Sequence, residues 1–150
     1  MRRPRDFAYA YPRVVKYLGI RPRSVKEIRE YLEKKNIELE VIERVIQQLL
    51  KDKFLNDKEF AVWWTRGRQS KGKAIFIIRR ELEEKGVDRD IVEEVTGECA
   101  KDDTRVAQEV VDKYHPRYAK YSGREYFEKM GAFLARRGFS YEIIRKVLNS

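Results

Sequence analysis

Residues 82–99 read LEEKGVDRDIVEEVTGEC, and the same pattern occurs twice more in this chain of 150 residues. The other copies are LEKKNIELEVIERVIQQL, at residues 32–49, and LARRGFSYEIIRKVLNS, at residues 134–150. The leucines that begin the three copies are separated by 50 and 52 residues. Three similar units of about fifty residues therefore account for nearly the whole chain, as in proteins built from tandem repeats.

Each copy has the pattern of a helix, a tight turn and a second helix. Glycine takes the left-handed conformation that ends many helices without steric cost, and asparagine is the next best residue there. The three turn residues are Asn36, Gly86 and Gly138, and the apolar residues after them are Ile37, Val87 and Phe139. Asp88 and Ser140 are predicted N-caps of the second helix. Apolar residues then recur at helical spacing, which predicts one buried face.

Upstream segments predict where the first helix of each copy begins and add one more helix before it, giving three per unit. Ser24 with Glu27, and Ser122 with Glu125, have the spacing of capping boxes. The first helices are predicted over 9–17, 57–70 and 103–114, with the His115-Pro116 pair ending the last of them. The run AIFII at 74–78 is compatible with a buried strand, but it leads directly into a strong helix-forming sequence with a glycine stop.

These patterns predict an all-α protein made of three tandem three-helix repeats, about 50 residues each, in an elongated, curved array. The expected units are residues 1–52, which include a basic N-terminal tail, 53–100 and 101–150.

The composition points to a polyanionic partner. Charged residues make up 39% of the chain, the formal net charge is +9 and the sequence pI is about 9.6. Nucleic acid is the usual partner of such a surface, although an inert basic surface is the alternative. Cys99 is the only cysteine, so an internal disulfide is excluded, and we expect a cytoplasmic protein. No apolar run approaches the roughly 20 residues that cross a bilayer, so no membrane partner is expected.

Several stretches resemble the RecX family of recombination regulators. FLNDKEFA at 54–61 is the most recognisable, and RGRQSKGKAIFIIRRELEEKGVD at 66–88 follows the family pattern of arginines, a glycine and Ile-x-x-Glu-Leu-x-x-Lys-Gly. MGAFLARRGFSYEIIRKVL at 130–148 is very close to the family ending, and RPRSVKEIREYLEKKNI at 21–37 is a looser match. The resemblance implies tandem three-helix repeats. It also implies binding to the RecA recombinase filament on single-stranded DNA, which RecX proteins mostly restrain, in DNA recombination, repair and the SOS response.

One segment departs from the family pattern. The family commonly has Gly-Pro-Arg-Arg before the isoleucine that matches Ile78, where this chain has Ala74, Ile75, Phe76 and Ile77. These residues cover more than one helix face, so some must lie outside the unit's own core. We expect Phe76 to fill a seam between neighbouring units, with contact to a partner as the alternative.

Charge is sharply divided in the second unit. Residues 63–80 carry six Lys and Arg and no acid, whereas 81–98 carry eight acids and two bases. The predicted partner- or DNA-binding residues are Arg66, Arg68, Lys71, Lys73, Arg79 and Arg80, with Arg21 and Arg23 from the first unit. The alternative is a solvated face with internal ion pairs, and Arg80 has helical spacing to Glu84 for such a pair.

Other residues in these regions have mainly structural interpretations. Gly67 is expected to allow close helix approach and Gly72 to open a turn. Trp64 is expected to be buried and Trp63 to be partly exposed, with base stacking as the less favoured role. Arg2, Arg3 and Arg5 form a basic N-terminal cluster. Arg136 and Arg137 lie at a helix C-terminus, where bases interact favourably with the helix dipole.

No catalytic or metal-binding set is evident, so we predict a non-enzymatic regulator that requires no cofactor. His115 is the only histidine, and Cys99 has no second cysteine at zinc-site spacing. We expect a monomer. A helical DNA-binding protein that acts without RecA is the alternative function.

Overall fold

The computed structural model describes residues 4–149, which contain α-helices and no β-strand. The helices of the first unit are α1 Phe7–Ile20, α2 Val25–Lys34 and α3 Leu39–Lys51. Those of the second are α4 Asp57–Ser70, α5 Ile75–Glu84 and α6 Arg89–Cys99. A 3₁₀ turn, Ala100–Asp102, leads into α7 Asp103–Tyr118, α8 Gly123–Arg136 and α9 Tyr141–Leu148. The predicted all-α fold with three three-helix repeats in tandem is therefore confirmed.

The repeated turn has the same geometry in all three units. Asn36, Gly86 and Gly138 have φ values of 58°, 76° and 94°. The backbone N–H of the apolar residue after each one donates to the carbonyl of the leucine that begins the copy, Leu32, Leu82 or Leu134. This six-to-one bond is the Schellman motif, which satisfies a carbonyl that the ending helix leaves without a partner. The short repeated sequence thus sets the angle at which the second and third helices of each unit meet.

Each unit has its own hydrophobic core. Leu32, Leu82 and Leu134 are fully buried in three separate clusters. Two residues cross the unit boundaries, because Leu55 packs in the first core and Ala74 packs in the third. Burying a leucine of this kind contributes roughly 1.5–3 kcal/mol. Most of the hydrophobic stabilisation therefore lies within units, and a smaller number of contacts holds neighbouring units together.

Two of the first helices are longer than predicted. Helix α1 begins at Phe7 and ends at Ile20, and α7 continues to Tyr118. The prediction that His115-Pro116 ends α7 was wrong. Pro116 is exposed, so the carbonyl that loses a helical partner can face solvent, and the extra turn is held by Tyr118, whose ring lies 5.8 Å from that of Phe133.

Only some of the predicted helix caps are present. The Ser24–Glu27 capping box is present, and the Ser140 side chain accepts a bond from the N–H of Ile143. Asp88 and Ser122 occupy N-cap positions, but their side chains make no capping hydrogen bond. The Ser122 capping box was therefore a wrong prediction. The next residue, Gly123, has φ 56°, so the first turn of α8 does not have the regular geometry that a capping box needs.

Candidate functional site

The seam between the first and second units is polar. The backbone N–H of Val25, at the start of α2, donates to an Asp57 carboxylate oxygen at 2.8 Å. Lys26 Nζ donates to the carbonyl of Glu84 at 2.9 Å, and its side chain lies directly against Gly86. A β-carbon at Gly86 would be 2.7 Å from Lys26 Cβ, so glycine is required for close approach as well as for its positive φ.

The seam between the second and third units repeats this plan with different side chains. The N–H of Ile75, at the start of α5, donates to an Asp103 carboxylate oxygen at 3.0 Å. A β-carbon at Gly138 would be 2.7 Å from Ile77 Cγ1, so Ile77 takes the place that Lys26 has in the first seam. In both seams, an acid on the first helix of one unit caps the second helix of the preceding unit.

The carboxyl groups in these seams have shifted pKa values. Burial raises the pKa of both Asp57 and Asp103, and the backbone hydrogen bond that each accepts only partly opposes this. Glu27 differs, because burial would raise its pKa but hydrogen bonds from Arg21 and Ser24, with the charges of Arg21 and Lys85, lower it overall. Glu27 bridges the units, since Lys85 Nζ lies 3.4 Å from its carboxylate.

Arg68, one of the predicted binding residues, is held by an internal ion pair. Its guanidinium contacts both carboxylate oxygens of Glu81, at 3.0 and 2.9 Å, and the two side chains are mostly buried. Trp64 also donates to Glu81, at 3.4 Å, and it is only partly buried, whereas it was predicted to be buried. The acidic segment thus neutralises one member of the basic stretch, so Arg68 stabilises the α4–α5 pairing.

Four other predicted cations remain unpaired. Across residues 4–149, no carboxylate lies within ion-pair distance of Arg66, Lys71, Lys73 or Arg80. The spacing-based pair of Arg80 with Glu84 does not form, and the Arg80 guanidinium instead lies 6.0 Å from the Phe76 ring centre. Unpaired cations at the surface are available to an anionic partner.

The remaining predicted residues have structural partners. Arg79 Nε donates to the Thr96 hydroxyl at 2.8 Å. Arg21 pairs with Glu27 at 2.5 Å, and the Arg23 guanidinium lies 3.7 Å from the centre of the Tyr17 ring. Whether any of the eight predicted cations contacts a partner stays a prediction. Of the N-terminal cluster, Arg2 and Arg3 lie outside the described residues, and Arg5 donates to the carbonyl of Lys35.

Trp63, on α4, lies beside a cation of the first unit. Trp63 is 41% exposed, in keeping with the predicted partial exposure, and the guanidinium of Arg21 lies 5.6 Å from the centre of its ring. Trp63 and Arg66 line one open groove along α4 with Val62, and the acid Glu59 lines it as well. The groove combines an aromatic face with an unpaired cation, which is chemistry suited to a nucleotide or an acidic side chain.

Three expectations for small or apolar residues can be compared with the structure. Phe76 does not fill a seam, because it is 61% exposed, and Ile77 and Ala74 occupy the seam instead. Gly67 was wrongly predicted to allow a close helix approach, since a β-carbon there would meet nothing within 4 Å. Gly72 has φ 78° and opens the turn between α4 and α5, as predicted.

Arg137 has a role that sequence reasoning missed. Its Nη1 donates to the carbonyl of Lys71 at 2.8 Å, and its own carbonyl accepts from the N–H of Ala74 at 2.9 Å. Its guanidinium also lies 5.1 and 4.6 Å from the ring centres of Tyr114 and Phe133. The helix dipole was an incomplete explanation, because Arg137 joins the end of the basic stretch to the third unit.

The described part of the chain holds no group of three or more His, Cys, Asp or Glu side chains arranged for a metal ion. In the same residues, every helix is too short or too polar to span a bilayer.

Family models match almost the whole chain. The models of the first, second and third three-helix domains of RecX match residues 10–49, 56–95 and 101–148, in that order. The chain belongs to the RecX family. It is similar to the regulatory protein RecX of Geobacillus sp. (strain WCH70), with 32% identity over 142 residues, covering 93% of this chain and 52% of that protein. The regulatory protein RecX of Bacillus subtilis (strain 168) is 33% identical over 141 residues, covering 93% of this chain and 53% of its own. This chain therefore spans about half the length of these RecX relatives.

Solved RecX structures have the same fold. The crystal structure of RecX from Lactobacillus salivarius superposes with a TM-score of 0.82 at 27% identity, covering 96% of this chain and 95% of that chain. A second crystal structure of a regulatory protein RecX has a TM-score of 0.81 at 22% identity, covering 96% and 72%, and supports the fold alone.

Proposed function

We propose that this protein binds the RecA recombinase filament on single-stranded DNA and restrains filament growth, ATP hydrolysis and strand exchange. The observation that carries this proposal is the family match over three consecutive three-helix units. The units are assigned to residues 1–52, 53–100 and 101–150. In this role the protein is a monomeric cytoplasmic regulator that works by binding, without catalysis of its own and without a cofactor.

The unpaired cations of the second unit supply the contact surface. Arg66, Lys71 and Lys73 follow one another along the C-terminal half of α4 and the turn after it, and none of them has a carboxylate partner in the described residues. The protein's net charge of +9 favours association with a polyanionic filament. Arg68 supports this surface indirectly, because its pair with Glu81 fixes α4 against α5.

Three units in tandem can contact several subunits of a filament. Helix α4 has 14 residues and is therefore about 21 Å long, so three units in series offer contact sites to more than one subunit of a filament. A ligand that bridges neighbouring subunits stabilises the arrangement it prefers and opposes the changes needed for growth and ATP turnover. Inhibition then requires only differential binding to one filament state.

The test is RecA ATPase activity on single-stranded DNA with increasing amounts of this protein. We expect inhibition by the wild type and weaker inhibition by a variant carrying Arg66→Gln, Lys71→Gln and Lys73→Gln. A matched control, Lys16→Gln, Lys34→Gln and Lys51→Gln, removes three exposed charges from the first unit and is expected to inhibit like the wild type. Arg68 is left unchanged because losing it would leave Glu81 without its partner.

Two outcomes would count against the proposal. If the wild type does not alter RecA activity but binds DNA tightly and with steep salt dependence, the protein is a DNA-binding protein that acts without RecA. If the wild type inhibits and the triple variant inhibits equally well, these three cations are not part of the contact surface.

A further inference from the structure

The connection between α7 and α8 is a second basic segment that the predicted site does not include. Residues 113–124 read KYHPRYAKYSGR and contain four Lys and Arg, three Tyr, one His and no acid. We call this segment the elbow. Helix α7 ends inside it at Tyr118, and α8 begins at Gly123. Its composition resembles the basic stretch at 63–80, but tyrosines replace the tryptophans.

The elbow carries a row of aromatic rings. The ring centres of Tyr121 and Tyr118 are 6.5 Å apart, those of Tyr118 and Phe133 are 5.8 Å apart, and those of Phe133 and Tyr114 are 4.9 Å apart. All four side chains are partly exposed. Tyr114, Tyr118 and Phe133 pack on the third core, which explains their presence, but Tyr121 is not among the residues that pack there. The third core therefore does not account for Tyr121.

Cations lie along this row. The ammonium groups of Lys120 and Lys129 are 5.2 and 5.7 Å from the centre of the Tyr121 ring, and that of Lys113 is 5.5 Å from the Tyr114 ring. Within residues 4–149, none of these lysines, nor the exposed Arg117, forms an ion pair. Arg124 is the exception in the elbow, because it pairs with Glu128 at 3.2 Å. Several uncompensated positive charges thus face solvent beside aromatic rings.

The row begins where the basic stretch of the second unit ends. Lys71 and Lys113 line the same cleft, of about 60 Å³, between α4 and α7. Gln69 lines it as well, and its buried Nε2 is a donor for which residues 4–149 provide no acceptor. Arg137 connects the two sides through the Lys71 carbonyl and the ring of Tyr114. The cations of the second unit and those of the elbow therefore meet at one cleft across the seam, where the acid that also lines it, Glu109, is already paired with Arg105.

We propose that the elbow binds single-stranded DNA, with Lys113, Arg117 and Lys120 contacting phosphates and Tyr121 contacting a base. This inference rests on the proposed function, because the strand would be one that the recombinase filament also holds. Proteins that bind single strands without sequence preference combine a cationic track with aromatic rings on which bases stack. An acidic protein surface would engage the cations but would give no role to Tyr121. Paired bases in a duplex would not reach the ring.

The test measures binding to fluorescein-labelled oligo(dT) by anisotropy at several salt concentrations. Each phosphate contact on a single strand contributes about 0.7 to the slope of log affinity against log salt. The variant Lys113→Gln, Arg117→Gln, Lys120→Gln should therefore lose about 2 from the magnitude of the slope. The matched control is Arg136→Gln, Arg145→Gln, Lys146→Gln, which removes three exposed charges from the same unit and should retain more of the slope.

A second variant tests the ring separately from the charge. Tyr121→Leu keeps an apolar side chain and all cations, so the slope should stay the same while affinity falls about fivefold or more. Tyr121→Phe should restore most of that affinity, since it restores the ring. Circular dichroism establishes that each variant keeps its helix content.

The outcomes separate this inference from the proposed function. If the wild type inhibits RecA but does not bind oligo(dT), or if the elbow variant binds with an unchanged slope, the elbow inference is overturned and the proposed function stands. If the elbow variant binds oligo(dT) normally but fails to inhibit RecA, the elbow contacts the recombinase protein, and the nucleic-acid inference is again wrong. A wild type that binds oligo(dT) through the elbow without affecting RecA would overturn the proposed function alone.

Discussion

Replacing Asp103 with alanine removes the acceptor for the backbone N–H of Ile75, across the seam between the second and third units. Ile75 is 3% exposed and begins α5, so its N–H has no partner within the helix. Leaving a buried donor unsatisfied costs about 1–3 kcal/mol. For a chain of 150 residues each kcal/mol lowers Tm by roughly 2–4 °C. We therefore expect Asp103→Ala to lower Tm measurably.

Asp103→Asn separates the hydrogen bond from the charge. The asparagine carbonyl can accept the same bond, whereas the pKa of Asp103 is raised by burial, which means that its ionised form is unfavourable in the folded protein. We expect Asp103→Asn to be at least as stable as the wild type at neutral pH. Because the folded-state pKa is raised, the wild type gains stability relative to Asp103→Asn as pH falls through that pKa towards the ordinary value of 3.8. The difference in stability between Asp103→Asn and the wild type should therefore become smaller at acidic pH.

Thermal unfolding followed by circular dichroism at neutral and acidic pH provides the measurement. Asp88→Ala is a matched control, because Asp88 is at the N-cap of α6 but its side chain makes no capping bond. Asp88→Ala should lower Tm less than Asp103→Ala does. If Asp103→Asn were destabilised as much as Asp103→Ala, the charge and not the acceptor would hold the seam. If Asp103→Ala behaved like the wild type, the bond across the seam would contribute nothing to stability.

Two further predictions compare matched positions. Gly138→Ala should destabilise the protein by about 1–3 kcal/mol in urea unfolding, because φ is 94° and the new methyl group would meet Ile77 at 2.7 Å. Gly67→Ala should instead stabilise the protein by about 0.5–1 kcal/mol, since the position is inside α4 and has open space around it. A lower free energy of unfolding for Gly67→Ala would contradict that open space. Ser24→Ala should cost about 0.5–2 kcal/mol because it breaks a capping box, and Ser122→Ala should cost much less. Equal losses for the two serines would contradict the assigned caps.

Sequence reasoning was successful where structure depends on residues a few positions apart. The turns at Asn36, Gly86 and Gly138 follow from the left-handed conformation and a hydrogen bond that spans six residues. The all-α class and the three repeats follow from such local patterns, since each copy contains its own helix stop and buried leucine. The wrong end of α7 shows the limit of a local rule, because Pro116 did not outweigh the packing of the next turn.

The sequence by itself determined the helices, their turns, the three cores and the surplus of positive charge. Only the tertiary structure decided which charges are free. Glu81 neutralises Arg68, whereas Arg66 and Lys71, in the same basic stretch, have no ion-pair partner in the described residues. Arg137 reaches Lys71 across a seam from 66 residues away. The physical reason is that ion pairs between helices and contacts across seams depend on the angles at which helices and units pack, and those angles are set by side chains far apart in sequence rather than by spacing along one helix.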